Sequence, residues 1–229
     1  MMNVLSGSVG KGAGICYAFL CLLLAFTMGG ALQSGAVVEL SAHFLPFPGF
    51  YASLVFPLTV LPVLVGGIRK IETVSNIIIP MSTIIYIIMC ILIIVRNRGD
   101  IFDFLYCSFM DAFTPSSCAV GVLTGGVFRC AREGFSAGML SNEAGAGTSA
   151  MAESRGSGSD PASAGLLGIC EVLFDTTLLC TLTGLAIGVS TDSYTSVGGI
   201  ELVKKAFLSL GPKAPYLLLP LLFTFAFSG

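Results

Sequence analysis

The chain has 229 residues, of which 55% are hydrophobic and only 10% are charged, whereas soluble domains carry about 25% charged residues. This composition, with a mean hydropathy of +0.92, indicates a membrane protein. The net charge of −2 provides no basic surface, and no DNA- or RNA-binding motif is present, so nucleic-acid binding is excluded.

Apolar runs long enough to cross a bilayer recur along the chain. About 20 residues suffice, because the hydrocarbon core is about 30 Å thick and a helix rises about 1.5 Å per residue. We predict one membrane domain, 1–229, with six transmembrane helices near 13–38, 46–67, 75–95, 104–128, 163–190 and 214–227. The segment near 129–162 is predicted to be a cytoplasmic loop, although the basic residues divide six to five between the two sides and do not fix the topology.

The first predicted span carries a stripe of small and polar residues. Thr27, Gly30 and Ser34 recur at helical spacings of three and four, with Gln33 beside them. The Gln33 amide can donate and accept at once, which suits an amino-acid ligand. It suits an interhelical hydrogen bond equally well, so the residues alone leave both roles open.

The fourth predicted span contains residues that disfavour a continuous helix. In DAFTPSSCAVGVLTGG (111–126), Pro115 removes a backbone donor, and glycines including Gly121 weaken the helix that remains. A break near Thr114 is one interpretation, and broken helices bind ions and substrate in transporters. A proline kink in an ordinary span is the alternative.

A polar stretch, REGFSAGMLSNEAGAGTSAM (132–151), separates two apolar runs. It contains Ser141, Asn142 and Glu143 among small residues, and a hydrophilic segment (153–165) follows it. We interpret it as a loop with a short helix, which Asn142 and Glu143 would cap or latch when an inner gate is shut.

The fifth predicted span is rich in threonine. Thr177, Thr181, Gly184 and Gly188 line one helical face, and Thr183 is close by. Hydroxyl and carbonyl oxygens are the hard ligands that Na⁺ prefers. Alternatively, each hydroxyl bonds to the carbonyl four residues earlier in its own helix.

Two acidic residues in the same span, Glu171 and Asp175, lie one helical turn apart. They could form an intramembrane acid–base pair, or Glu171 could lie at the membrane boundary with Asp175 in the interior.

The eight cysteines stand singly without a C-x-x-C pair, and His43 is the sole histidine, so neither a zinc site nor a redox pair is supported.

Several motifs together resemble one transporter family. SNEAGAGTSA (141–150) is followed by the spaced D-T-x-x-x-C-T-x-T that begins at Asp175. GGALQSG (29–35), VLVGGIRKIETVSNIIIPM (63–81) and DAFTPSSCAVG (111–121) are similar to further family segments in the same order. The chain therefore resembles the alanine or glycine:cation symporters, also called sodium:alanine symporters.

The resemblance implies an all-α polytopic membrane protein with a partial LeuT-like inverted-repeat bundle. Such a protein would carry alanine or glycine across the plasma membrane with Na⁺ as the coupling ion, without another cofactor, and it would not be an enzyme. Gln33 matches the family's substrate-side glutamine, with Ser34 and Thr27 beside it, and Thr181 and Thr183, with Thr177, fall on a sodium-binding span.

Departures from the family pattern support a second hypothesis. The family's Gly-x-Gly-Asn-x-x-Gly segment does not occur in the sequence, nor does its Trp-containing segment. The chain would then be a central fragment, or a transport-inactive membrane subunit. The sequence does not indicate the oligomeric state.

Overall fold

Helices form every regular element in the described part of the computed structural model. The structure describes residues 2–44, 54, 57–58, 61–62, 65–114, 126–141, 161–191 and 199–228. The α-helices are α1 (Met2–Ser8), α2 (Lys11–Leu24), α3 (Gln33–Phe44), α4 (Ile68–Arg96), α5 (Asp100–Phe113), α6 (Gly126–Ser141), α7 (Pro161–Val172), α8 (Cys180–Ser190), α9 (Ile200–Leu208) and α10 (Leu218–Ser228).

Three shorter elements interrupt or precede these helices. A first π-helical segment, Ala25–Leu32, joins α2 to α3 without an intervening turn. A second, Leu173–Leu179, joins α7 to α8. A 3₁₀ turn, Ala214–Leu217, leads into α10.

Two helical segments are long and apolar enough to cross a membrane. Thr73–Arg96 has 24 residues, and Gly165–Ser190, which runs from α7 to α8, has 26. At about 1.5 Å per residue each exceeds the hydrocarbon thickness of about 30 Å. Only 22% and 17% of their most apolar windows are buried, whereas the core helix of a soluble protein is mostly buried. Lys11–Thr27 and Ala214–Ala226 are shorter apolar helices.

The six predicted spans stay a prediction. The second, 46–67, falls largely outside the described residues, as does the latter part of the fourth. Helix α6 occupies the start of the segment for which a cytoplasmic loop is predicted. Its position relative to a membrane also stays a prediction.

The chain divides into two compact units. The first contains Met1–Cys21 and Gly99–Gly184, and the second contains Leu22–Arg98 and Leu185–Gly229. Among the residues of the first unit whose burial is described, only Gly14 is buried, while large apolar residues such as Phe102 and Phe128 are exposed. Apolar surface of this kind is compatible with contact with lipid.

The second unit contains a packed apolar core. Helices α9 and α10 each contact α3 and α4, and α9 also contacts the 3₁₀ turn. The largest fully buried side chains of this core are Phe207, Leu40, Ile93, Leu218, Pro215 and Cys90. Tyr86 of α4 stacks on Phe207 of α9, with ring centroids 6.1 Å apart, and meets Phe225 of α10 edge-on at 5.8 Å.

Helix α4 has a start and an end that the sequence explains. It begins after Gly67, whose φ of 78° suits glycine. It ends at Asn97, whose backbone N–H and side-chain amide each donate to the Ile93 carbonyl at 3.1 Å. Pro80 lies inside the helix. Nearby, the buried Ser82 hydroxyl donates to the Ile78 carbonyl at 2.8 Å, so its polar group is satisfied within α4.

Because Phe207 is fully buried against Tyr86, Phe207→Ala should leave a cavity and lower the free energy of unfolding in detergent by about 3–5 kcal/mol. Phe102→Ala is the matched control, since Phe102 is 82% exposed, and its effect should stay within about 0.5 kcal/mol. Equal losses for the two variants, measured by thermal or denaturant unfolding, would contradict this description of the core.

Candidate substrate and sodium sites

The first π-helical segment contains Thr27 and leads directly to Gln33 and Ser34. A π-helix bonds each N–H to the carbonyl five residues earlier rather than four, and such segments occur frequently at functional sites. When the pattern returns from five to four, one carbonyl is passed over and loses its N–H partner. Gly29 and Gly30 lie within this segment, and their low helix propensity lowers the cost of departing from α-helical geometry.

The hydroxyl groups of this region bond to their own helix. Thr27 Oγ1 donates to the Leu23 carbonyl at 2.9 Å, and Ser34 Oγ donates to the Ala31 carbonyl at 3.3 Å. A hydroxyl that donates its proton keeps lone pairs with which it can accept a hydrogen bond or bind a cation. The backbone of Gln33 begins α3, but its side chain lies outside the part that the structure describes.

The second π-helical segment contains Asp175 and Thr177. The Cys180 N–H donates to the Asp175 carbonyl, five residues earlier, and ordinary α-helical bonding resumes in α8. Thr181 and Thr183 lie in the first turn of α8, directly beyond this change. Three hydroxyl groups and a change of carbonyl pairing therefore occur within seven residues of one helix.

Thr183 and its two neighbouring candidates differ in their surroundings. Thr183 Oγ1 donates to the Leu179 carbonyl at 2.8 Å and is half-buried. The side chains of Thr177 and Thr181 are exposed. The sequence left two interpretations open for these hydroxyls, and the Thr183 bond corresponds to the intrahelical one. This bond does not exclude the sodium interpretation, because a hydroxyl that donates its proton can also bind a cation.

The acidic residues of this span lie on either side of the start of the second π-helical segment. Glu171 is in α7 and Asp175 is in the π-helical segment, and both side chains are exposed. Among the described residues, no group of three or more His, Cys, Asp or Glu side chains could hold a metal ion. The oxygen atoms of hydroxyls and carbonyls are therefore the cation ligands to consider in this helix.

The remaining candidates lie near helix ends. Helix α5 ends at Phe113, and Thr114 Oγ1 donates to the Met110 carbonyl at 2.9 Å. Pro115 and Gly121 lie outside the described residues, so the broken helix stays a prediction. Ser141 is the last residue of α6, whereas Asn142 and Glu143 lie outside the described part.

The candidates belong to different units of the chain. Thr27, Gln33 and Ser34 belong to the second unit. Thr177, Thr181 and Thr183 belong to the first, as do Thr114 and Ser141. The predicted substrate residues and the predicted sodium residues are therefore each described within their own helix. Both groups lie in or directly after a π-helical segment.

Sequence comparison decides the family. The profile of the sodium:alanine symporter family matches residues 2–229. The chain belongs to this family. The family consists of transporters rather than enzymes, which confirms the prediction that the chain is not an enzyme. Together with the two long apolar helices, family membership identifies the chain as a membrane protein.

Named relatives agree with this assignment. The chain is 27% identical over 224 residues to the sodium/alanine symporter AgcS of Methanococcus maripaludis, covering 96% of the chain and 49% of the relative. It is 30% identical over 168 residues to the amino-acid carrier protein AlsT of Bacillus subtilis, covering 72% and 35%. It is 27% identical over 182 residues to a sodium/proton-dependent alanine carrier protein of Bacillus sp. strain PS3, covering 78% and 39%. The chain thus spans about half the length, or less, of these three relatives.

The π-helical segments are the part of the candidate sites that sequence reasoning missed. Gly29 and Gly30 are a usable signal for the first. The second, LFDTTLL, contains no glycine or proline. In this segment each N–H bonds to the carbonyl five residues earlier instead of four. Helix propensities of single residues do not predict which of the two carbonyls is used.

Because the Thr27 hydroxyl donates to its own helix, Thr27→Val should change the free energy of unfolding by less than about 1 kcal/mol. Thr27→Ser, which keeps the hydroxyl, is the control. A loss above about 2 kcal/mol for the valine variant alone would mean that the hydroxyl has a partner outside its helix, and the assignment of its bond would be wrong.

Proposed function

We propose that this chain functions in a secondary transporter that carries a small neutral amino acid, alanine or glycine, across the plasma membrane together with Na⁺. Membership in the sodium:alanine symporter family supports this proposal. Its relatives, which include a sodium/alanine symporter and an alanine carrier protein, support it as well.

One observation carries the residue-level part of the proposal: each predicted binding cluster coincides with a π-helical segment. Thr27 lies within Ala25–Leu32, next to Gln33 and Ser34, and Thr177 lies within Leu173–Leu179, next to Thr181 and Thr183. A π-helical segment inside an apolar helix exposes carbonyl oxygen that must find another partner, because hydrocarbon provides none. A substrate ammonium group or a sodium ion can be that partner.

We assign the substrate to the first cluster. Gln33 would bind the amino acid through its amide, which can donate to a carboxylate and accept from an ammonium group. Ser34 and Thr27 would contribute hydroxyl oxygens at small side chains, leaving room for a ligand no larger than alanine or glycine.

We assign the coupling ion to the second cluster. Thr177, Thr181 and Thr183 would offer neutral oxygens to Na⁺, aided by the carbonyl passed over where the π-helical pattern ends. The bond from Thr183 to the Leu179 carbonyl fixes the direction of the Thr183 proton and so orients the hydroxyl. An oriented hydroxyl loses less entropy when it binds an ion.

The wider architecture follows from the same proposal. Six spans would belong to a LeuT-like inverted-repeat bundle, in which ion and substrate bind near the bilayer midplane between alternately opening sides. Na⁺ would favour the conformation that is competent for substrate, and only a difference in its affinity for the two conformations can provide the coupling. Thr114, Pro115 and Gly121 would form a broken helix in this cycle.

The decisive experiment is Na⁺-dependent uptake of labelled alanine into proteoliposomes that contain the 229-residue chain alone. Uptake above that of empty liposomes, abolished when choline replaces Na⁺, would support the proposal. Uptake equal to that of empty liposomes would instead support the transport-inactive membrane fragment.

Variants then separate the two clusters. Gln33→Ala should abolish uptake, whereas Thr181→Val should raise the Na⁺ concentration for half-maximal uptake about tenfold, since one ligand to a charged group contributes about 1.5 kcal/mol. Thr181→Ser should restore the normal value because it keeps the oxygen. Thr224→Val is the matched control outside both clusters, and an equal effect there would reject the assignment of Thr181.

A gating role is proposed for the polar motif that begins at Ser141. In a full-length relative, the equivalent of Glu143→Gln should change the transport rate more than the substrate affinity, because a latch contributes to the opening step and not to the binding site. Rate and half-saturation are measured in the same uptake assay. An unchanged rate would refute the latch.

A further inference from the structure

Helix α6 (Gly126–Ser141) has an apolar face that no described element covers. Phe128, Phe135 and Met139 are spaced by seven and four residues, so they lie on one side of the helix. Every residue from 127 to 139 is exposed, with Phe135 at 72%, and no other described element packs extensively against α6. The helix therefore presents a continuous apolar stripe that has no protein neighbour in the described part of the chain.

Helix α6 is too short and too polar to bury this face by crossing the bilayer on its own. Its 16 residues rise about 24 Å, at about 1.5 Å each, which is less than the hydrocarbon thickness of about 30 Å. Arg129, Arg132 and Glu133 lie in its first half, and charged groups are costly in hydrocarbon. The described segments that are apolar enough to span a membrane do not include this helix.

The glycines of α6 give no sign of a closely packed protein partner. Gly134 and Gly138 are four residues apart, and glycines at this spacing let a second helix approach closely in many membrane proteins. A Cβ atom added at either position would meet nothing within 4 Å among the described residues. These glycines therefore do not mark a helix–helix contact here. Lipid is then the apolar medium that a membrane protein offers to the stripe.

The charged residues of α6 lie where a helix at a membrane surface carries them. At about 100° per residue, Arg129 and Arg132 lie about 100° and 40° around the axis from Phe128, along one edge of the apolar face. Two arginines and one glutamate give the helix a net charge of +1. From this edge a long side chain can extend its guanidinium group to a lipid phosphate and bind it through paired hydrogen bonds.

We propose that α6 lies along the membrane surface and binds anionic phospholipids. Phe128, Phe135 and Met139 are immersed about 5–10 Å into the boundary between headgroups and acyl chains, and Arg129 and Arg132 bind the phosphates. An amphipathic helix with basic residues beside an aromatic face binds in this plane. The proposal concerns lipid alone, and it is independent of transport and of the residues assigned to substrate and sodium.

The test is tryptophan fluorescence of the full chain in proteoliposomes, because the sequence has no tryptophan of its own. Phe128→Trp and Met139→Trp place the reporter near the two ends of the apolar face, about 16.5 Å apart along the axis, and Ala137→Trp places it on the opposite side of the helix. Phospholipids brominated at a shallow or a deep acyl position quench emission from the lipid, and acrylamide quenches it from water.

Vesicles of equal parts phosphatidylglycerol and phosphatidylcholine provide the anionic surface. In them, Phe128→Trp and Met139→Trp should be quenched alike, and more strongly by the shallow bromine than by the deep one. Ala137→Trp should respond mainly to acrylamide. Phe135→Trp, in the middle of the same face, replaces either end variant if that variant does not fold.

The arginines are tested in the Phe128→Trp chain. Arg129→Gln and Arg132→Gln should each lower the ratio of lipid quenching to acrylamide quenching about fivefold, which is the contribution of one basic residue near an anionic surface. Lysine at both positions is the matched control and should keep most of the ratio, because it keeps the charge. Vesicles of phosphatidylcholine alone should lower the ratio of the chain with both arginines.

Four results would overturn the proposal. Depths at Phe128→Trp and Met139→Trp that differ by the length of the helix would mean that α6 crosses the bilayer. Protection of both reporters from lipid and from acrylamide would mean that protein covers the face, and access of acrylamide to both would place the helix in water. A ratio that is insensitive to phosphatidylglycerol and to both glutamine variants would exclude binding of anionic lipid. None of these results bears on alanine uptake, so they are distinguishable from a failure of the transport proposal.

Discussion

The structure depends on one constraint: in hydrocarbon, every backbone and hydroxyl group must find its partner within the protein. Helices satisfy the backbone, and the described serine and threonine hydroxyls mostly satisfy themselves by donating one turn back, as Ser82 and Thr183 do. This arrangement lets a polar residue lie in an apolar span at little cost. A hydroxyl that donates in this way can still accept a hydrogen bond or bind a cation through its oxygen.

The π-helical segments relax this constraint locally. A helix that changes its bonding interval from four residues to five and back must leave one carbonyl without its N–H. In this chain the change occurs inside apolar helices, beside Thr27 in one case and beside Thr177 in the other. A soluble protein could satisfy such a carbonyl with water. A membrane transporter can satisfy this carbonyl with the substrate or ion that it carries. The same change in helix bonding would then create both the unpaired carbonyl and the affinity for the ligand.

Sequence reasoning succeeded for properties that depend on composition, on a single continuous segment or on the order of motifs along the chain. Composition identified the membrane class, the uncharged run around Pro80 gave a long helix, and the order of short motifs gave the family. It did not give the π-helical segments, since LFDTTLL has no breaker residue and the choice between two neighbouring carbonyls depends on the surrounding helix. It also could not give the packing of Phe207 on Tyr86, because contacts between helices distant in sequence leave no periodic signal. Sequence reasoning missed the buried Thr191 hydroxyl, which has no hydrogen-bond partner in the described part of the chain, for the same reason: burial at a helix end is a property of the fold.

The unequal burial of the two units gives them different mechanical characters. In the second unit, α9 and α10 pack on α3 and α4, so displacing one of these helices opens an apolar core. In the first unit, described apolar side chains such as Phe102 and Phe128 are exposed, and lipid solvates them as well as protein would. Among the described residues, displacing α5 to α7 would therefore break few apolar contacts, whereas displacing a helix of the second unit would break many. Under the proposed function, the threonine cluster in the second π-helical segment and the start of α8 belongs to the first unit, and Gln33 belongs to the second, which has the packed core. If the proposed function holds, this division would suit alternating access, which requires one part of a carrier to move while another keeps its shape.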